Sequence, residues 1–265
     1  MINYLEKKYN TLKVAVENGI ATITFNRPEA YNAANVEMSF ERLEVYRGVS
    51  EDEAVKVVIV TGNEKAYCAG GDLAAFSQFD TTQARAFGRR GLEYQNILMD
   101  MPKPVIAAVS GFAYGGGMEH VLMCDLRIAA DNARFALPEI NVGIFPGGGG
   151  TQRLVQNTSM CKAKEMIFLG EPVDAQTALA LGLINKVVPL DDLMGEAMKW
   201  AQKLCQKPPL ALAAAKKLVN AAWGQSTAVG IEQEVESWAD IYGTMDKAEG
   251  MKAFLEKRKP KFIGR

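Results

Sequence analysis

Two glutamates set among apolar neighbours are the residues of this sequence best suited to chemistry. Glu119 follows Gly115-Gly116-Gly117 and opens an otherwise apolar segment, and Glu139 stands in Leu137-Pro138-Glu139-Ile140. A carboxylate in such company needs a partner or a task. Two of them close together would take different protonation states, one ionised and one proton-bearing, which suits a base and an acid acting on one water. The plainer reading makes Glu119 a helix-start charge and Glu139 a loop cap, and the residues alone leave both open. The chain's one histidine, His120, follows Glu119 directly. On a helix the two side chains diverge, so His120 reads as a structural histidine.

Small residues supply the second chemical signal. Gly111-Phe112-Ala113-Tyr114-Gly115-Gly116-Gly117 follows one predicted strand and precedes a predicted helix, where free N–H groups face outward. The spacing is not GxGxxG and no Walker lysine follows, so an oxyanion-binding turn fits better than a phosphate cradle. Ala69-Gly70-Gly71-Asp72 is a similar place, with Asp72 suited to a helix start. Two backbone donors converging on one oxygen would stabilise a thioester or ester oxyanion. A tight structural turn is the other reading of each segment. Lys257-Arg258-Lys259-Pro260-Lys261 is either a solvated helix end or a patch for a polyphosphate such as a coenzyme.

Several elements must position these groups. Alternating apolar residues on both sides of Asn18-Gly19 predict a β-hairpin, closed at Asn26-Arg27-Pro28. Asn35 is suited to cap a helix reaching about residue 50. The apolar run 55–60 predicts a strand buried on both faces. A helix is expected from about 82 to 98, then strands at 105–109, 126–129, 133–137 and 184–188. The segment through Val121-Leu122-Met123 reads as a buried helix, and Phe145-Pro146-Gly147-Gly148-Gly149-Gly150 as a loop leading into helices. From Asp191 onward Ala, Leu, Lys, Glu and Met recur at helical spacing. The expectation is a sheet-and-helix core over 1–190 and a helical region over 191–265. No repeat of fixed period stands out, although a strand–strand–helix rhythm recurs loosely.

Composition limits the function classes. Of 265 residues, 48% are hydrophobic and 23% charged, which excludes disordered and low-complexity classes. A net charge of −1 gives no global attraction to nucleic acid or to an anionic membrane. No apolar run approaches the roughly 20 residues of a membrane span. Cys68, Cys124, Cys161 and Cys205 form no CxxC pair and read as reduced thiols of a cytoplasmic protein. With one histidine, a multi-histidine metal site is impossible. Residues 1–8 read as neither a secretory signal nor a transit peptide.

In this order, Phe25-Asn26-Arg27-Pro28, residues 66–73, Pro102-Lys103-Pro104-Val105, Gly115-Gly116-Gly117-Met118-Glu119, residues 135–140, 146–154 and the tail from Glu249 to Phe262 resemble the crotonase superfamily, specifically its enoyl-CoA hydratase branch. The resemblance implies an α/β spiral of ββα units with a helical C-terminal region that builds homotrimers or dimers of trimers. It also implies hydration of an enoyl-CoA, as in fatty-acid or related acyl-CoA degradation. The N–H groups of Ala69 and Gly116 would hold the thioester oxygen, and Glu119 and Glu139 would be the catalytic pair. Having both glutamates favours hydration over the isomerase branch, and an intact pair speaks against a non-catalytic CoA- or RNA-binding relative. No metal or redox cofactor is implied, because coenzyme A arrives with the substrate. The expected substrate contacts are Lys65, Ala66, Gly70, Gly71, Asp72, Phe254 and Lys257, the last two sharing a helix face and reaching coenzyme A bound in a neighbouring subunit. Glu29 stands where many members carry Lys, a departure that Lys65 and the C-terminal lysines could offset. Phe76 and Phe79 are candidates for the wall of the acyl pocket.

Overall fold

The structure, a computed structural model, describes residues 4–265; residues 1–3, the opening of the segment read for targeting signals, lie outside the described residues. The hairpin forms as β1 (Leu12–Glu17) and β2 (Ile20–Phe25), joined by Asn18-Gly19. Asn35 caps α1 (Val36–Glu51) through its side-chain oxygen, which accepts from Met38 N at 2.8 Å. Each later pass adds one strand to each of two sheets. β3 (Val57–Thr61) precedes β4 (Ala66–Cys68), α2 (Leu73–Phe76) and α3 (Thr81–Asp100). β5 (Val105–Val109) precedes β6 (Phe112–Tyr114) and α4 (Gly116–Met123), and β7 (Leu126–Ala130) precedes β8 (Arg134–Ala136), α5 (Gly150–Asn157) and α6 (Met160–Leu169). β9 (Val173–Asp174), α7 (Ala175–Ala180) and β10 (Lys186–Val188) complete the sheets. The strand order is β1-β2-β3-β5-β7-β10 in the larger sheet and β4-β6-β8-β9 in the smaller. This is the spiral of ββα units that the resemblance implies.

Burial on both faces explains the continuous apolar strands of the larger sheet. Val58, Val60, Ala107, Val109 and Ala129 point into the core shared with α1 and α4. Their alternates Val57, Ile59, Ile106, Ala108 and Ile128 point to the opposite face. That face is covered by Leu193, Ala197 and Ala201 of α8 (Leu193–Cys205), spaced one helical turn apart. Of the three-residue strands, β8 falls within the strand read at 133–137, whereas β4 and β6 were not anticipated. They are too short to show a period, and β6 lies inside the stretch read as a glycine-rich loop.

The remaining helices are α9 (Pro209–Ala221), α10 (Thr227–Ile241) and α11 (Met245–Leu255). Lys216 anchors α9 to the core through Asp125 at 2.8 Å, and Asp125 also accepts from Val105 N. The tail folds back along α11, where the Asp246 carboxylate accepts from the N–H groups of Ile263 and Gly264. Among the described residues no helix is long and apolar enough to cross a membrane.

α4 seats against β4 only because residue 117 lacks a side chain. A Cβ there would collide with the Cys68 carbonyl and lie 2.9 Å from the Cys68 Cβ. We predict that Gly117→Ala destabilises the protein by about 2–3 kcal/mol, the cost of overpacking a core that cannot yield. Thermal and urea unfolding check this, and an unchanged midpoint would show that α4 and β4 can separate freely.

Candidate active site

The chemistry-bearing residues gather where the smaller sheet hands its chain to helices. β4 runs into the Gly70-Gly71 turn, and β6 runs into the glycines that start α4. Gly115 has φ +49°, a left-handed conformation that favours glycine, and its N–H donates to Ala136 O. The two turns approach main chain to main chain. A Cβ built on Gly115 would lie 3.6 Å from Gly70 Cα, and one on Gly116 would lie 4.0 Å from Gly71 N.

This approach corrects one sequence expectation. The Ala69 N–H donates to Tyr31 O at 3.0 Å and is not free to bind a substrate oxygen. The next two residues form a short strand-like bridge with residue 34, in which Ala34 N donates to Gly70 O and Asp72 N donates to Ala34 O. The alternation turns the Gly71 N–H away from that bridge, and it meets no acceptor among the described residues. The Gly116 N–H opens α4 and is likewise unused. The available pair of donors is therefore Gly71 and Gly116.

Glu119 lies in the first turn of α4 and is only 4% exposed. Its Oε1 accepts from Gly148 N at 2.7 Å and Gly150 N at 2.8 Å. Burial raises its pKa, opposed by those two N–H groups and by Arg153. Arg153 also holds the donating loop, through Gly148 O at 2.8 Å and Gln95 Oε1 at 3.2 Å. Oε2 is left facing Gly116, 4.0 Å from where its Cβ would be.

Glu139 sits in the 3-10 turn Pro138–Val142. Its Oε1 is 3.1 Å from the Cβ position of Gly115, and its Oε2 is buried with no hydrogen-bond partner among the described residues. Burial, reinforced by the Glu119 charge, pushes its pKa up to about 7. The two carboxyls thus face one space from either side of Gly115-Gly116. Burial raises the pKa of both, but donors oppose the rise at Glu119, whereas Glu139 has the Glu119 charge reinforcing it.

The other expected residues divide. Gly70 and Gly71 form the turn itself. Asp72 does not reach the site, because its carboxylate pairs with Arg27 at 3.0 Å and caps α2 through Ala75 N. Ala66 is fully buried, and its carbonyl accepts from Asn32 Nδ2 and Asn63 N, so it offers a coenzyme no free group. Lys65 is exposed beside it. Phe254 is 83% exposed on the last turn of α11. Lys257 lies beyond that helix at φ +55°, so the expected shared helix face does not exist. Phe76 packs its ring against Gly71 and stacks on Phe79 at 5.2 Å. Glu29 lies 3.8 Å from Arg27. His120 faces the interior, away from the two carboxyls, as the sequence reading held. Sequence reading missed Gly148, Gly150 and Arg153 as the holders of Glu119. The run of four glycines was the available signal.

Residues 15–265 match the family model described as enoyl-CoA hydratase/isomerase. The chain belongs to the enoyl-CoA hydratase/isomerase family. It is similar to a crotonyl-CoA hydratase of Syntrophomonas wolfei, 38% identical over 97% of this chain and 99% of that protein. A short-chain-enoyl-CoA hydratase of Clostridium acetobutylicum is 39% identical over 94% and 96%. Among solved structures, an enoyl-CoA hydratase from Bacillus anthracis superposes with a TM-score of 0.93 at 34% identity, covering 97% of this chain and all of that one. Family membership confirms the crotonase resemblance and its hydratase branch.

The Glu139 carboxyl makes stability depend on pH. Its folded pKa lies above the ordinary carboxylate value, so its contribution is full below about pH 4.5 and fades as pH rises through about 7. Glu139→Gln removes that titration. The melting temperature of Glu139→Gln relative to the parent is expected to rise between pH 5 and pH 8, as thermal melts at several pH values would show. A flat difference would place the Glu139 pKa near its ordinary value.

Proposed function

We propose that this protein catalyses the reversible syn addition of water to a trans-2-enoyl-CoA, giving a 3-hydroxyacyl-CoA. The observation that carries this reading is the pair of carboxyls in opposite hydrogen-bonding states, facing two unused backbone N–H groups. The thioester oxygen accepts from Gly71 and Gly116. Glu119, with Oε1 fixed by Gly148 and Gly150, uses Oε2 to orient a water and take its proton during attack at C3. Glu139 in its protonated form delivers a proton to C2. Negative charge that develops on the thioester oxygen is met by donors already in place, each worth about 3 kcal/mol. Proton transfer by positioned acids and bases contributes about 10²–10⁴ in rate.

Coenzyme A comes as part of the substrate, and the reaction as written needs no further cofactor. Phe254 and Lys257 are available to a coenzyme bound by a neighbouring copy. Exposed Val219, Trp223, Val235 and Trp238 of the α9–α10 region, with Phe145 and Phe168, support a homotrimer or a dimer of trimers. Unpaired cysteines at all four positions suit the cytoplasm.

Glu119→Gln keeps the side-chain shape but cannot take a proton. It is expected to lower the hydration rate at least about 10²-fold with little change in acyl-CoA affinity. Loss of the conjugated-thioester absorbance measures the first, and calorimetric titration with a saturated acyl-CoA the second. Near-parental turnover would remove Glu119 from the mechanism. In the parent, hydration should weaken as pH rises through about 7, where Glu139 loses the proton it must donate. A rate still rising above pH 8 would contradict that role.

A further inference from the structure

Behind the two turns lies a buried polar cluster that the proposed reaction does not use. His120 is fully buried on α4, and both its ring nitrogens are engaged. Nε2 is 2.6 Å from Tyr46 Oη, and Nδ1 is 2.7 Å from Tyr67 Oη. Tyr46 stands on α1 and Tyr67 on β4, so one imidazole joins three elements. Arg42, one turn before Tyr46 on the same face of α1, is also fully buried. It has no carboxylate partner among the described residues. Its guanidinium covers the Phe25 ring at 4.2 Å, and its Nη2 lies 3.9 Å from Cys68 Sγ, which in turn lies 3.7 Å from Gly70 O.

Burying these groups is costly unless they are paired, and a better-packed apolar cluster would often be more stable. What the polar version adds is directional geometry. β4 leads through Cys68 and Ala69 into Gly71, and α4 begins at Gly116. We propose that His120 is a positioning residue for the oxyanion-binding pair, setting α4 against β4 so that the Gly71 and Gly116 N–H groups converge. The proposal rests on the reading of Gly71 and Gly116 as the substrate's donors. Burial and the Arg42 charge both push the His120 pKa down, keeping the ring neutral. A neutral ring donates from one nitrogen and accepts at the other, so it suits two phenol hydroxyls with no free proton.

The test compares Tyr67→Phe, His120→Leu and His120→Gln, with Tyr4→Phe as a control. Tyr4→Phe removes a phenol hydrogen bond to Asp52, beyond the C-terminal end of α1. Steady-state hydration gives kcat and KM. The dimethylaminocinnamoyl thioester of coenzyme A reports donor alignment, because polarising its thioester oxygen moves its absorbance to longer wavelength. The expected result is a fall in kcat of about ten-fold or more for Tyr67→Phe and His120→Leu, with KM within about two-fold. Both variants should show a diminished red shift of the bound thioester. His120→Gln, which keeps a donor and an acceptor, should recover part of each, and Tyr4→Phe should change neither. A Tyr67→Phe protein with parental kcat and full red shift would overturn the proposal, even if His120→Leu fails to fold. If the parent itself shows no red shift, the assignment of Gly71 and Gly116 is wrong, and the proposal falls with it.

Discussion

The site depends on the main-chain approach of two turns, Gly70-Gly71 and Gly115-Gly116-Gly117. Side chains there would hold the turns apart, and a Cβ at residue 117 would strike the Cys68 carbonyl. Because the turns meet, the N–H groups of Gly71, just past β4, and Gly116, at the start of α4, lie near each other with no acceptor among the described residues. Each strand is only three residues long, yet each is fixed by parallel pairing, β4 to β6 and β6 to β8. The larger sheet and its buried faces hold those short strands in place. Hydrophobic burial thus supports the two N–H groups that the proposed reaction offers to the thioester oxygen.

The two carboxyls beside these turns differ in hydrogen bonding. Glu119 is the more buried, but it receives two N–H donors from the loop that Arg153 braces. Glu139 has no donor on Oε2 among the described residues and feels the Glu119 charge. In the proposed reaction, similar side chains in neighbouring positions are thereby assigned the roles of base and acid by backbone geometry.

Much of this was legible in the sequence. The strands at 57–61 and 105–109 declare themselves by apolar runs, the hairpin by Asn18-Gly19, and α1 by its Asn35 cap. Glu119 and Glu139 stood out as charges in apolar company. Of the smaller sheet only β8 was legible, inside the strand read at 133–137; β4 and β6 were not, because three residues cannot display a period. The Ala69 error has the same root, since choosing between successive N–H groups needs the pairing of residue 34 with residue 71. The Lys257 expectation assumed a continuing helix, whereas α11 ends at Leu255 in a turn closed by Lys257 N to Phe254 O and Arg258 N to Ala253 O. The charge pattern around Lys257-Arg258-Lys259 gave no sign of that turn. Arg258 is drawn instead to Glu249, at 2.7 Å.

Glu119 and Glu139 are proposed to act on one water from the same side of the acyl chain. The stereochemistry of hydration in deuterium oxide tests it most directly. The trans-2-enoyl thioester is hydrated, and the product's configuration at C2 and C3 is read from NMR coupling constants. The proposed arrangement predicts a single diastereomer, with one deuterium at C2 on the same face as the C3 hydroxyl. An anti product, or a mixture of both, would contradict it.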